Sequence, residues 1–259
     1  MEPDHGFLGH NSPLITCMVQ GERAESIGRL IRKGIADGAD AFGVQMEGIL
    51  PEERTEENLR ALVASAEGRP IYATNYRWWR NEGKSEEALA QGLLFLRRCG
   101  ADLIDVPGDL YAPDPAQLTR DASAIEKQKA LIRELHGMGA QVLMSSHIAA
   151  ARTAEEILLI AREHAARGAD ISKIVTLADS DDEELELLRA SKLLKRELGI
   201  PFLLLCGGKQ YRLLRMIGPM LGSCMWLTVA EYDAFATPMQ PLCRAIRALA
   251  DHFPEKRES

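Results

Sequence analysis

Two residues in this 259-residue chain combine a residue type and a spacing suited to covalent chemistry: Lys173 and His147. Lys173 interrupts the run Ile171-Ser172-Lys173-Ile174-Val175, which otherwise reads as a buried strand. Two-residue alternation puts it on one face with Ile171 and Val175. A lysine among apolar neighbours loses hydration of its ammonium, which favours the free amine and makes it a nucleophile toward a ketone or aldehyde. The protonated imine that results draws electrons and acidifies the neighbouring C–H. The structural alternative is a lysine whose head snorkels to solvent or to a carboxylate. His147 lies one strand–helix–strand step earlier, so the two residues fall on adjacent strands about 5 Å apart. An imidazole there can take the acidified proton and return it to a departing hydroxyl. A loop histidine bonded to backbone is the alternative. His5, His10, His136, His164 and His252 fall in the N-terminal tail or on helices.

The elements that position this pair follow one repeated pattern. Short aliphatic or β-branched runs at 14–19, 41–46, 71–74, 103–106, 141–145, 171–175, 202–206 and 224–227 read as strands. Helical stretches follow them at 24–36, 55–65, 85–98, 119–137, 153–167, 181–198, 211–220 and 241–251. Thr153-Ala-Glu-Glu156 and Ser180-Asp-Asp-Glu183 read as capping boxes at helix starts. Gly38, Gly100, Gly139 and Gly168 recur where a helix ends before the next strand, as left-handed C-terminal caps do. Eight such units in this length predict an α/β fold, a single-domain (β/α)8 barrel over 1–259 with short flexible tails at 1–12 and 252–259. An open doubly wound sheet is the competing architecture, and no GxGxxG opens a helix to support it. In a barrel the site lies at the C-terminal ends of the strands, where Lys173 and His147 are.

Composition narrows the partners. The net charge is −7, from 31 basic and 38 acidic residues, and the sequence pI is near 5.5. No nucleic-acid partner is expected, because phosphate binding rests on surplus Lys and Arg. The mean hydropathy of −0.15 and the lack of a long apolar run predict no membrane span. The first residues lack the pattern of a signal peptide, and five widely spaced cysteines form neither a disulfide framework nor a zinc motif. A cytoplasmic protein is the expectation.

At a finer grain, Val142-Leu-Met-Ser-Ser-His147, Thr153-Ala-Glu-Glu156 and Gly168-Ala-Asp-Ile-Ser-Lys-Ile174 resemble type I 3-dehydroquinate dehydratases in order and spacing. The likeness extends to Gly222-Ser223 and Pro238-Met-Gln240, and covers about 13–249. It implies a barrel, usually a homodimer, that removes water from a cyclic β-hydroxy keto-carboxylate without metal or cofactor. By the resemblance Lys173 matches the imine-forming lysine, His147 the general acid/base, and Glu82 the acid that orients the histidine. Arg215 matches the arginine that grips the substrate carboxylate, with Gln240 from the closing loop helping it. Asp105 also fits the pattern, and Cys206-Gly207 replaces a Met-Gly whose apolar sulfur packs on substrate.

Other positions depart from the family. Its second strand turns a glutamate and an arginine inward with a further acid beyond; Gly43, Gln45 and Glu47 stand there. Its third-strand arginine falls at Tyr76, with Arg77 adjacent, and its closing-loop serine at Ala236. The catalytic pair is kept while the shell that holds the ring hydroxyls is rewritten, which predicts an altered substrate. Trp78 and Trp79 can cover the ring or serve as a loop anchor. Two other functions fit the same residues: a class I aldolase-like enzyme on another carbonyl, and a non-catalytic metabolite-binding barrel.

Overall fold

Alternation along the strands divides their side chains between a core inside the ring and a second core under the helices. Leu14, Met18, Ala41, Tyr72, Leu103, Leu143, Ile171, Leu203, Leu205, Met225 and Leu227 fill the inside. The residues between them, such as Cys17, Phe42, Val44, Ile104 and Val142, face the helices. The structure, a computed structural model, describes residues 6–252.

Over those residues the strands are β1 Leu14–Val19, β2 Ala41–Gln45, β3 Ile71–Thr74, β4 Leu103–Pro107, β5 Gln141–His147, β6 Ile171–Leu177, β7 Phe202–Gly207 and β8 Met225–Val229. The helices are α1 Ala24–Ala36, α2 Glu56–Ser65, α3 Glu86–Arg98, α4 Ala122–Gly137, α5 Ala154–Ala166, α6 Asp181–Glu197, α7 Tyr211–Leu221 and α8 Cys243–His252. All strand pairs are parallel, in the order β7-β6-β5-β4-β3-β2-β1-β8. At the seam the Cys224 N–H donates to the Phe202 carbonyl at 2.8 Å, and Ser223 Oγ accepts from the Leu204 N–H at 3.2 Å. The result is the nearly closed (β/α)8 barrel that the repeat predicts.

Most expected boundaries hold to within a few residues, and the exceptions have local causes. Both capping boxes are formed, Thr153 with Glu156 and Ser180 with Glu183. α4 starts at Ala122, not 119, because Asp121 caps it by accepting from the Ala124 N–H at 2.7 Å. The N–H of Thr119 meanwhile donates to the Gly108 carbonyl at 3.1 Å, which keeps 119 in the preceding loop. β5 runs two residues past its predicted end, so His147 is a strand residue.

The expected tails fall partly outside the described residues, at 1–5 and 253–259. Residues 6–8 pack against the barrel, whereas 9–12 are exposed. Phe7 is buried, its N–H donates to Gln141 Oε1 at 2.6 Å, and its ring meets Tyr72 edge-on at 6.4 Å. Phe7 therefore plugs the N-terminal end of the barrel. Among the described residues no helix is long and apolar enough to cross a membrane.

Candidate active site

Register fixes the heart of the site. Ser145 on β5 stands opposite Lys173 on β6, and His147 lies two residues further along, opposite Val175. Lys173 is only 4% exposed, so its head does not reach solvent. Its Nζ donates to Tyr72 Oη at 2.8 Å, Tyr76 Oη at 2.7 Å and Asp105 Oδ2 at 3.2 Å. Three acceptors match the three protons of an ammonium. Asp105 on β4 is fully buried and accepts from both tyrosine hydroxyls as well. Its other oxygen accepts from Ser145 Oγ at 2.5 Å. Burial pushes both phenols well above their ordinary range, and the Asp105 charge adds to that. They stay protonated and act as hydrogen-bond donors.

His147 borders this cluster. Its ring meets Tyr76 edge-on at 5.1 Å and Trp78 at 5.7 Å. Loss of hydration, with the charges of Lys173 and Arg215, holds its pKa well below the usual imidazole range. A neutral imidazole is the form that can accept a proton. Its Nδ1 lies 3.1 Å from Gln117 Oε1, on the loop between β4 and α4.

Glu82 is not its partner. Asn81, buried beside it, donates to Asn75 Oδ1 and to the Tyr76 carbonyl, both at 2.7 Å, and these bonds fix the loop with Glu82 facing outward.

Arg215 on α7 is buried, and its Nε donates to the Cys206 carbonyl at 2.8 Å. Burial pushes its pKa down to about 10, so it remains a cation at neutral pH. Cys206 contributes that carbonyl, while its side chain packs with Ile174, Leu204 and Leu214 under the helices. The expected sulfur contact with substrate is therefore absent: Leu203 and Leu205 point inward, and alternation turns Cys206 out.

Gln45, at the end of β2, and Gln240, in the loop closing on the barrel, carry buried Oε1 atoms without a partner among the described residues. So does Gln20, which follows β1 and lies beside Gln45 by the Val19–Val44 register. Gln20 Nε2 donates to Thr237 Oγ1 at 3.2 Å, linking this edge to the closing loop. Three neutral acceptors thus await hydrogen-bond donors.

Sequence reasoning missed Tyr72, Ser145, Gln20 and Gln117. Ser145 shares the inward face of β5 with His147, and Tyr72 is evenly spaced from Tyr76, so alternation could have found both; Gln20 follows β1, where no inward residue had been singled out. Gln117 carries no such signal.

Comparison with known proteins shows the family. The family model described as Type I 3-dehydroquinase matches residues 15–253. The chain belongs to the type I 3-dehydroquinase family. The 3-dehydroquinate dehydratase of Methanosarcina barkeri is 29% identical over 212 residues, covering 81% of this chain and 83% of that one. The 3-dehydroquinate dehydratase of Alkaliphilus oremlandii is 32% identical over 117 residues, covering 44% of this chain and 45% of its own. By fold, the 3-dehydroquinate dehydratase of Geobacillus kaustophilus matches with a TM-score of 0.79 at 21% identity, over 96% of this chain and 94% of that one. The family is one of hydro-lyases.

Against that dehydroquinase pattern, the departures have structural reasons. A Cβ on Gly43 would lie 2.2 Å from Met18 Sδ and 3.0 Å from Tyr72 Cδ1, so these side chains fill the space of a glutamate. Tyr76 spends its hydroxyl on Asp105 and Lys173. Arg77 does not stand in for the family's arginine, because Asp109 and Glu86 clamp its guanidinium, each at 2.8 Å. Trp78 stacks on Tyr76 with centroids 4.4 Å apart, whereas Trp79 is largely exposed.

Glu47 is the remaining acid of the second-strand motif. It is fully buried and accepts from Thr74 Oγ1 at 2.9 Å and from the Tyr76 N–H at 3.4 Å. Burial pushes its pKa from 4.5 to about 7. Between those values the folded protein binds more protons than the unfolded chain, so stability falls as pH rises through that window. The full effect is about 3 kcal/mol. Glu47→Gln should remove it, because the neutral amide keeps an oxygen that accepts from the Tyr76 N–H and an NH2 that can donate to Thr74 Oγ1 in place of the bond it now accepts. Denaturant titrations at pH 4 and pH 8 should show the variant gaining on the wild type only at the higher pH. Parallel pH dependence in the two proteins would refute this.

Proposed function

We propose that this dehydroquinase-family barrel eliminates water from 3-dehydroquinate, or from a related cyclic β-hydroxy keto-carboxylate, through an imine on Lys173. The observation that carries the reading is Lys173 Nζ buried among two phenols and a carboxylate, beside a histidine whose pKa is depressed. Asp105 is placed to take the proton that Nζ must lose before it attacks the ketone carbon. Addition gives a carbinolamine. Its hydroxyl, protonated through the phenol–carboxylate cluster, leaves as water and the iminium forms.

His147 then removes a proton from the carbon next to the iminium, giving an enamine. Collapse of the enamine expels the β-hydroxyl, which takes the proton back from the imidazolium and departs as a second water. Hydrolysis of the product iminium consumes one water and restores the ketone and the amine, so one water is lost overall. Arg215 holds the substrate carboxylate, and Gln240 accepts from a hydroxyl near it. A cytoplasmic homodimer of single-domain barrels, with no cofactor, completes the reading.

The test is reduction with borohydride in the presence of 3-dehydroquinate and a panel of keto acids, followed by mass analysis. A reduced adduct on Lys173 together with release of the dehydrated product supports the reading. Dehydration without any trapped adduct would defeat the covalent route. An adduct accompanied by C–C cleavage would move the protein to the aldolases.

A further inference from the structure

We propose that Gln117 is the positioning residue of His147, fixing the imidazole as its Nδ1–H tautomer and leaving Nε2 as the proton-accepting atom. The inference rests on the reading of His147 as the base. Oε1 of Gln117 lies 2.8 Å from the backbone N of His147 and 3.1 Å from its Nδ1. A backbone N–H can only donate, so the amide atom facing it is the oxygen and not the nitrogen. That same oxygen can only accept from the ring, which places the proton on Nδ1. In a neutral imidazole the lone pair then belongs to Nε2.

The loop that carries Gln117 is held from several directions. Its own carbonyl accepts from Ser146 Oγ at 2.6 Å, and Ser146 Oγ also meets His164 Nε2 at 3.0 Å. Buried Arg167 donates to the carbonyls of Gly108 and Thr119, each at 2.8 Å, and so brackets the segment. Gly108 has no room for a larger residue, because a Cβ would lie 2.6 Å from the Gln117 carbonyl oxygen. Gln117 itself sits at φ 48°, a left-handed conformation that these bonds maintain.

A neutral amide orients the ring without adding a negative charge. The groups facing His147 are Lys173 from β6, Arg215 from α7, and the Tyr76 and Trp78 rings after β3. Asp105 from β4 is the nearby anion, and it is engaged by Lys173. With no carboxylate on Nδ1, the imidazolium gains little stabilisation. The base stays unprotonated into mildly acidic solution.

The experiment uses the full chain labelled with 15N-histidine, comparing wild type, Gln117→Glu and Gln117→Leu, with His147→Gln to assign the ring signals. Wild type should show the Nδ1–H tautomer. Gln117→Glu keeps the acceptor but adds an anion, so the imidazole titration should move up by about one pH unit or more. The acidic limb of kcat/KM should move with it. Gln117→Leu should mix the tautomers and lower kcat roughly tenfold at similar KM. An Nε2–H wild type, or a Gln117→Glu protein with unmoved titration, would overturn the proposal. If the ring signals behave as expected and the acidic limb stays put, Gln117 still positions His147, and it is the role of His147 as base that fails.

Discussion

Lys173→Ala should abolish borohydride trapping and reduce turnover to background, whereas His147→Gln should keep trapping and lose turnover. The contrast follows from the order of steps: the imine needs only the amine and its proton-handling neighbours, and the histidine acts afterwards. Loss of a positioned general base costs about 10²–10⁴-fold. The lysine variant also leaves Asp105 buried without its cation, and breaking such a pair costs about 3–5 kcal/mol. Its thermal midpoint should therefore drop, and melting curves recorded beside the assays separate inactivity from unfolding. Persistent trapping in a folded Lys173→Ala protein would place the nucleophile elsewhere. Full turnover by His147→Gln would remove the imidazole from the mechanism.

The second large effect concerns specificity. In the resembled pattern, charged groups on the second and third strands hold the ring hydroxyls. In this barrel Met18 and Tyr72 fill the space at Gly43, and Tyr76 is bonded to Lys173 and Asp105. The acceptors left are the Oε1 atoms of Gln20, Gln45 and Gln240. Hydrogen bonds to charged partners contribute about 1.5–3 kcal/mol, and neutral ones about 0.5–1.5 kcal/mol. Exchanging two or three of the first kind for the second lowers kcat/KM on 3-dehydroquinate by roughly 10²-fold relative to a fully charged site. Removing one ring hydroxyl from the substrate should then cost only about tenfold, and deoxy or aryl-bearing analogues should remain substrates. The measurement is kcat/KM across that series. A loss of a thousandfold or more for a single hydroxyl would mean that a charged group still meets the ring.

Lys173 and His147 were legible because a strand has a period. A lysine in an apolar run, one unit after a histidine at a strand end, leaves little freedom for where either can point. The same periodicity also contained Tyr72, inward on β3, and it contradicted a substrate-facing Cys206 one residue after inward Leu205. Those were consequences of alternation not followed far enough. Glu82 and Gln117 differ in kind. Both lie in loops, where chain direction depends on bonds such as Arg54 to Asn81 and Arg167 to Thr119, made across long sequence separations. No spacing rule encodes them. Phe7 is similar: an apolar residue near a chain start looks like tail until a barrel end is there to receive it.

That plug has a bearing on the lifetime of the intermediate. Below Nζ the barrel is filled by Leu103, Leu143, Ile171, Leu203 and Tyr72, with Phe7 in the same cluster. On the proposed imine route, water would reach Nζ from the mouth, on the side of Trp78 and His147, because the Phe7 end is filled. On the same route, loss of Phe7 would thin this packing from below, and a trapped imine should then be hydrolysed faster.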